Sequence, residues 1–226
     1  MDRQTIDPSQ LRLTRGKYWL LETAVDLYIP LAFLLPKRCS LEELFNKPGH
    51  GLNQNQLVAC LGGLFRNGLI EMSTFSGEQP WAPTDDQIAA AVVSAKSRDE
   101  PSLAYGLTDK GGATWEAFAA PKWDRFILED FDDDTRTSTV SCAIRLRLER
   151  YLNYFKLNLL DQAIAPDTVQ IQELGEWQAT YWKKLPHGFC ARFVNTFTER
   201  HFSADKLEWL AFCGLCDFRD GWYRWR

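Results

Sequence analysis

The chain has 226 residues, of which 45% are hydrophobic and 25% are charged, and its formal net charge is −4. These values are typical of a globular protein, and the 9 Trp, 7 Tyr and 14 Phe can fill a sizeable core, which excludes a disordered chain. Acidic residues outnumber basic ones in both halves, so neither half has the basic excess typical of a strong nucleic-acid binder.

The first part of the chain predicts a series of helices. Apolar residues recur at helical spacing from Gly16 to Leu35, and Pro30 should kink or divide this helix because proline removes a backbone donor. A short helix from Leu41 to Asn46 is expected behind a serine cap. The next helix is predicted from about Asn53 to Asn67, with Gly68 behind it as a left-handed cap.

Two strands separated by a long insertion come next. Leu69 to Phe75 predicts one strand, and Tyr105 to Leu107 predicts a strand that returns beside it. The insertion of residues 76–103 contains a segment with helix-forming character, residues 85–93. A helix from Asp109 to Ala119, capped by Thr108, is expected after the second strand.

Two of these segments carry a resemblance to a known family. Residues 52–72 resemble the recognition helix and first wing strand of a winged helix-turn-helix domain, and residues 105–118 resemble the returning strand and its following helix. The pattern Tyr-x-Leu-Thr-x-x-Gly at 105–111 is similar to the strand-to-helix junction of MarR-type and PadR-type regulators. The resemblance covers about residues 16–119 and implies a winged-helix fold with a long insertion at the wing. The alternative is an unrelated α+β domain.

The middle of the second half predicts an acidic linker followed by a long helix. Residues 129–134 are acidic but lack the glycine and terminal glutamate of the common calcium loop, which favours a solvated linker. Residues 137–163 predict a single helix with a broad apolar face.

The remainder of the second half predicts strands and one last helix. Residues 169–172 alternate as a strand does, and residues 181–194 predict a hairpin that turns at 185–188. A helix over residues 176–184 is the alternative to this hairpin. A last helix is expected from Ser203. The expected fold class is therefore α+β, with a winged-helix domain over residues 1–125 and a mixed α+β domain over residues 126–226.

One surface of the predicted winged helix carries side chains suited to reading DNA. Its helix opens with Asn53, Gln54, Asn55 and Gln56, and amide side chains can form paired hydrogen bonds with adenine edges. Phosphate contacts supply most of the affinity in complexes with DNA. Arg66 is the one cation of this helix, which argues against DNA binding. The insertion also holds more acidic than basic residues, which favours a solvated helix start over base reading.

Two short pairs in the second half have the spacing of zinc ligands. They are His187 with Cys190 and Cys213 with Cys216. The second pair lies inside a predicted helix among apolar residues, which favours small buried thiols over ligands. We therefore expect no metal and no cofactor.

The motifs of common catalytic sites are absent from the sequence. There is no nucleophile elbow, no phosphate-binding glycine loop and no zinc-protease helix. We therefore expect no catalytic residues, with an enzyme assembled from distant positions as the alternative.

These observations predict a cytoplasmic, non-enzymatic protein that binds a macromolecule. The polar start of the chain does not resemble a secretory signal, and the cysteines fit reduced thiols. The uncharged stretch of residues 27–35 is far shorter than the roughly 20 residues of a membrane span. The acidic balance favours a protein partner, as for an adaptor or an inhibitor of a basic protein. The alternative is a DNA-binding transcriptional regulator, and the oligomeric state stays open, a homodimer included.

Overall fold

The chain folds into two compact units. The computed structural model describes residues 13–34, 49–74, 81, 83–94, 103–156, 162–165, 167–197 and 222. The units comprise residues 1–118 and 119–226, which places the division slightly before the expected boundary at residue 125. Helices and sheets are both present, so the expected α+β class is confirmed.

The N-terminal unit combines helices with a small antiparallel sheet. Its helices are α1 (Arg15–Thr23), α2 (Gln54–Arg66), α3 (Asp85–Ser94) and α4 (Asp109–Ala119). Its strands are β1 (Ile29–Pro30), β2 (Ile70–Thr74) and β3 (Leu103–Leu107), in the order β1-β3-β2. Ile70 pairs with Leu107 and Thr74 with Leu103, which confirms the expected pairing of the two strands on either side of the insertion.

The core of this unit lies between α1, α2 and the sheet. Leu57, Leu61, Leu64 and Phe65 form the buried face of α2, as their helical spacing predicts. Helix α1 packs against α2 and buries its own leucines, Leu20 and Leu21. Full burial of one such side chain stabilises the fold by about 1.5–3 kcal/mol.

Helix α1 is much shorter than the helix expected over Gly16–Leu35, so that expectation is wrong. The helix ends at Thr23, whose hydroxyl donates to the carbonyl of Trp19 over 2.7 Å. Ile29 and Pro30 instead form the edge strand of the sheet, where a proline without a backbone donor is tolerated. The segment Leu31–Leu34 then makes a single turn of 3-10 helix.

Thr108 locks the junction between β3 and α4. Its hydroxyl donates to the carbonyl of Gly68 over 2.6 Å and accepts from the amide of Gly111 over 3.0 Å. A Cβ at Gly111 would overlap the carbonyl oxygen of Leu69, so only glycine allows this close approach. The Thr and the last Gly of the pattern at 105–111 therefore tie the start of α4 to the turn that precedes β2.

The C-terminal unit is built on a larger antiparallel sheet. Its strands are β4 (Ile127–Asp132), β5 (Thr137–Cys142), β6 (Gln162–Ile164), β7 (Gln170–Leu174), β8 (Trp177–Gln178), β9 (Lys184–Leu185) and β10 (Gly188–Phe197). One edge of β10 pairs with β5, and its other edge pairs with β7 and then with β6. Helix α5 (Arg145–Lys156) packs against β5, β6 and β10. The core between helix and sheet includes Val140, Leu148 and Phe193.

The single helix expected over residues 137–163 is wrong. Residues 137–142 form β5, the helix that follows is described over Arg145–Lys156, and β6 begins at Gln162. The sequence of β5 is rich in Ser, Thr and Val, which favour strands over helices. Almost all of β5 is buried, so it lacks the alternation that marks a half-exposed strand.

The acidic segment is also not the linker that its composition predicts. Residues 127–132 form β4, which pairs with β5 from Ile127 opposite Cys142 to Asp132 opposite Thr137. Strand β4 stands at the end of the sheet order, and charged residues are common on such edges because their like charges keep further copies of the same chain from pairing there.

The strand expected at residues 169–172 is confirmed as part of β7, but the hairpin about residues 185–188 is wrong. Strand β9 pairs with β8, whereas β10 pairs with β5, β6 and β7. The alternative helix over residues 176–184 is not formed either. The turn is real, yet the strands that it connects belong to different sheets.

Three expectations lie outside the described residues. They are the short helix at 41–46, the last helix from Ser203, and the pair Cys213 and Cys216.

Candidate functional site

The first turn of α2 contains the amide side chains that the sequence singled out for DNA reading. Asn53 is the cap residue, and its side chain accepts from the amide of Gln56 over 3.0 Å. The Gln56 side chain accepts in return from the amide of Asn53 over 3.0 Å. This reciprocal capping box satisfies two backbone donors at the helix start. Two of the four candidate side chains therefore serve the helix itself.

Gln54 and Asn55 are the two candidates that the capping box leaves out. Both are exposed on the first turn of α2. Asn55 begins the outer stripe of the helix, which continues at helical spacing through Ala59, Gly62 and Arg66.

The far half of the outer stripe is occupied by the start of α3. The Nη1 nitrogen of Arg66 donates to both carboxylate oxygens of Asp85, over 2.6 and 2.9 Å. A Cβ at Gly62 would overlap the Asp85 carboxylate, and Gly62 is buried although it lies on the outer stripe. The insertion thus supplies an acidic residue that covers α2 where its one cation stands.

Two further cations lie near the end of α2, and sequence reasoning missed them. Lys110 donates from Nζ to the carbonyl of Asn67 over 2.9 Å. The Nζ of Lys17 lies 3.8 Å from the position that a Cβ would take at Gly63. Cations at a helix C-terminus stabilise it through the helix dipole and its open carbonyls. The only sequence signal for Lys110 is its place within the pattern at 105–111.

Strand β4 and the turn after it form an acidic surface of the C-terminal unit. The acidic residues of the strand and the turn are all exposed: Glu129, Asp130, Asp132, Asp133 and Asp134. Leu128 comes directly before these acidic residues and Phe131 lies between Asp130 and Asp132, and the two are 37% and 38% exposed. Strand β4 pairs with β5 along one edge, and none of the described strands pairs with its other edge. This edge combines negative charge, apolar side chains and an open sheet edge.

The tip of this acidic hairpin is held by Asp132. Its Oδ1 atom accepts from the amide of Thr135 over 3.2 Å and from the amide of Asp134 over 3.0 Å. These hydrogen bonds, chiefly those from Thr135, hold the pKa of the Asp132 carboxyl below its usual range. The same hydrogen bonds therefore shape the turn and favour the ionised form of Asp132.

The histidine and cysteine positions that have the spacing of zinc ligands are only partly described. His187 is exposed before β10, whereas Cys190 is 7% exposed within it. Among the described residues, no three His, Cys, Asp or Glu side chains come together in a way that could hold a metal ion. His50 lies in the core, where Nε2 contacts the carbonyl of Leu34 over 2.7 Å and Nδ1 accepts from the amide of Leu52 over 2.9 Å.

Burial shifts the pKa of the Cys142 thiol and of the Tyr28 hydroxyl away from their ordinary values. It raises the pKa of the Cys142 thiol, whose Sγ contacts the carbonyl of Ile144 over 3.2 Å. It also raises the pKa of the Tyr28 hydroxyl, which donates to the Glu71 carboxylate over 2.6 Å. The protonated forms of both groups are therefore favoured.

Comparisons with protein-family models, with curated proteins and with solved structures find no match to this chain. Within the part of the chain that the structure describes, no helix is both long enough and apolar enough to cross a bilayer.

Proposed function

We propose that the chain is a non-enzymatic binding protein, with a winged helix-turn-helix N-terminal unit that serves a protein partner rather than duplex DNA. The order α2, β2, inserted α3, β3 and α4 supports the winged-helix assignment, as does the antiparallel pairing of β2 with β3. The insertion takes the place of a wing tip, which makes the wing the unusual part of this unit.

The observation that carries the proposal is that Asp85, the first residue of α3, lies against the outer stripe of α2. A recognition helix presents its outer stripe to the major groove and its cations to phosphates. Here the Asp85 carboxylate covers the stripe at Gly62 and neutralises Arg66. The exposed ion pair is worth only about 0–1 kcal/mol, so its strength alone would not deter a phosphate. The acidic helix start over the stripe is the greater obstacle.

The acidic edge strand β4 supports a protein partner. An extended segment of another protein can pair with an open sheet edge, where backbone hydrogen bonds supply affinity and side chains supply specificity. The acidic side chains of β4 and its turn favour a basic segment, and the exposed Leu128 and Phe131 offer apolar contacts. An adaptor, or an inhibitor that shields a basic protein, fits this surface.

A DNA-binding regulator is the second candidate function. It is favoured by the exposed Gln54 and Asn55, which the capping box does not use, and by Lys17 and Lys110 near the other end of α2. This candidate requires α3 to leave the outer stripe when DNA binds.

A duplex titration distinguishes the two candidates. The full-length protein is titrated with random duplex and with duplex from upstream of its own gene, at low and physiological salt. We expect weak binding that the double variant Gln54→Ala, Asn55→Ala does not change. A regulator with 6–10 phosphate contacts would instead lose about three to five orders of magnitude in affinity as salt rises. Nanomolar, salt-sensitive binding that this variant abolishes would replace the protein-partner proposal with the regulator.

The matched control for this titration is Gln170→Ala with Gln172→Ala. Both glutamines are exposed on β7, in the other unit, so the pair removes two surface amides without touching α2. Asn53 is left intact because its loss would weaken the capping box and confuse folding with binding.

Affinity capture from the native host tests the protein partner. The bait is the full chain, compared with Asp130→Lys, Asp133→Lys and with a control of equal charge change, Asp86→Lys, Glu173→Lys. All four positions are exposed. We expect a basic partner that is retained by the wild type and by the control, is eluted by salt, and is lost from the β4 variant. Equal retention by both variants would contradict binding at β4.

A further inference from the structure

An aromatic cluster stands at the start of the C-terminal unit. Phe126 and Trp222 form its buried floor, with exposures of 6% and 8% and ring centroids 4.9 Å apart. Trp123 packs on both, with centroid distances of 5.5 Å to Phe126 and 5.0 Å to Trp222. Trp123 itself is only half-buried. The floor therefore holds the Trp123 ring while leaving part of it accessible.

Trp182 adds a second ring at a steep angle to Trp123. Its ring meets that of Trp123 at an interplanar angle of 74°, with centroids 5.8 Å apart. The Lys183 ammonium lies near both rings, 5.3 Å from the Trp123 centroid and 6.0 Å from the Trp182 centroid. Both distances are within the range of a cation–π contact, and Trp is the strongest partner for such contacts. We call Trp123 and Trp182 the aromatic corner.

The loop between β8 and β9 fixes where Lys183 begins. The Lys183 amide donates to the carbonyl of Thr180 over 3.2 Å, and the Lys183 carbonyl accepts from the amide of Ala179 over 2.8 Å. The side-chain amide of Gln178 also donates to that carbonyl, over 3.3 Å. These hydrogen bonds hold the backbone of Lys183 in place beside the two rings.

We propose that the aromatic corner is a binding site for a methylated lysine of a partner protein, and that Lys183 occupies the site in the free chain. Two Trp rings at a steep angle form the walls of an aromatic cage, the arrangement that recognises methylated ammonium groups. The present occupant is itself a lysine side chain, which favours a lysine of a protein over other cationic ligands.

Lys183 competes with any partner lysine for the aromatic corner. An intramolecular ammonium competes at a high effective concentration, so an ordinary lysine of a partner gains little by replacing it. Methylation keeps the charge of the ammonium but makes it less hydrated, which lowers the cost of entering an aromatic cage. Methylated lysine is therefore the occupant that displaces Lys183.

The test uses the full chain and a short glycine-flanked peptide that contains one trimethyl-lysine, with affinity measured by calorimetry. A cation–π contact at a half-buried site such as this one is expected to change affinity by about tenfold. We therefore expect Lys183→Ala to bind the peptide about tenfold more tightly than the wild type. Trp182→Ala should lose binding, and Trp182→Phe should weaken it while retaining the circular dichroism of the folded chain.

Lys184→Ala is the matched control. Lys184 is the next residue, is exposed and pairs with Glu176 over 3.2 Å, away from the corner. We expect its affinity to equal that of the wild type.

Three results would overturn the proposal. The first is that Lys183→Ala binds no tighter than the wild type or Lys184→Ala. The second is that a neutral peptide, with carbon in place of the quaternary nitrogen, binds as well as the cation. The third is that free choline binds more tightly than the peptide, which would make the site one for choline groups rather than for lysine.

Discussion

Arg66 and Asp85 lie 19 residues apart in the chain, yet one guanidinium nitrogen of Arg66 contacts both oxygens of the Asp85 carboxylate. The two side chains come from α2 and from α3, the helix of the insertion, so the contact joins two elements that β2 separates in the chain. Each side chain is 62% exposed. The pair therefore shapes the surface of α2 while contributing little to the stability of the fold.

The first prediction concerns the strength of this ion pair. A double-mutant cycle with Arg66→Ala and Asp85→Ala should give a coupling energy of about 0.2–1 kcal/mol, because exposed pairs are screened and pay side-chain entropy. The measurement is the free energy of unfolding of each variant from urea denaturation. Hydrogen exchange of the α2 amides is the second readout. A coupling above about 2 kcal/mol would mean that the pair is desolvated, contrary to its exposure.

The second prediction compares two glycines of the same unit. Gly111→Ala should destabilise the unit by about 1–3 kcal/mol, because its Cβ would overlap the backbone of Leu69. Gly63→Ala is the control, since its Cβ would find its nearest neighbour, Lys17, at 3.8 Å within a helix. That change should be neutral or should stabilise by up to about 1 kcal/mol. Equal effects of the two substitutions in thermal denaturation would contradict the close approach at Gly111.

The third prediction concerns the capping box. Asn53→Ala should cost about 1 kcal/mol, because the amide of Gln56 loses its acceptor at the helix start. Gln54→Ala, one residue later, should be close to neutral because Gln54 takes no part in the box. Hydrogen exchange of the Gln56 amide reports the loss directly. A faster exchange in both variants, or in neither, would show that the box does not hold the helix start.

The fourth prediction concerns thiol reactivity and its pH dependence. Burial raises the pKa of Cys142, so less of the reactive thiolate is present at any given pH. Cys142 and Cys190 are also buried, whereas Cys60 is only half-buried. Iodoacetamide followed by peptide mass spectrometry should label Cys60 before Cys142 and Cys190, and labelling of Cys142 should rise only at higher pH or on unfolding. Labelling of Cys142 before Cys60 at neutral pH would contradict this order.

The fifth prediction concerns metal. We expect protein purified without chelator to contain no stoichiometric zinc, because Cys190 is buried within β10 while His187 is exposed before it. Elemental analysis decides the matter. One zinc per chain, lost in Cys190→Ser but kept in Cys142→Ser, would establish the ligand pair that the spacing of His187 and Cys190 suggests.

Local chemistry made part of the fold predictable from the sequence. A helix cap involves residues close together in the chain, so Thr108 is predicted as the cap of α4 without knowledge of any distant partner. The Asn53–Gln56 box has a similar spacing, but from the sequence its amides indicated only DNA reading or a solvated helix start. The buried face of α2 follows in the same way from its spacing. These signals located α2, β2, β3 and α4, which together hold the surface first considered for DNA.

Tertiary structure decided everything that depends on which distant segments meet. The residues of β5 become a strand because β4 and β10 pair along its two edges, and burial on both faces removes the alternation that would reveal it. The acidic residues 129–132 look like a solvated linker until β5 supplies their backbone partners. Asp85 likewise reads as the first residue of a helix in an insertion, and only the packing of α3 on α2 brings its carboxylate to Arg66. Pairing and ion contacts of this kind depend on distance in space, which spacing along the chain does not encode.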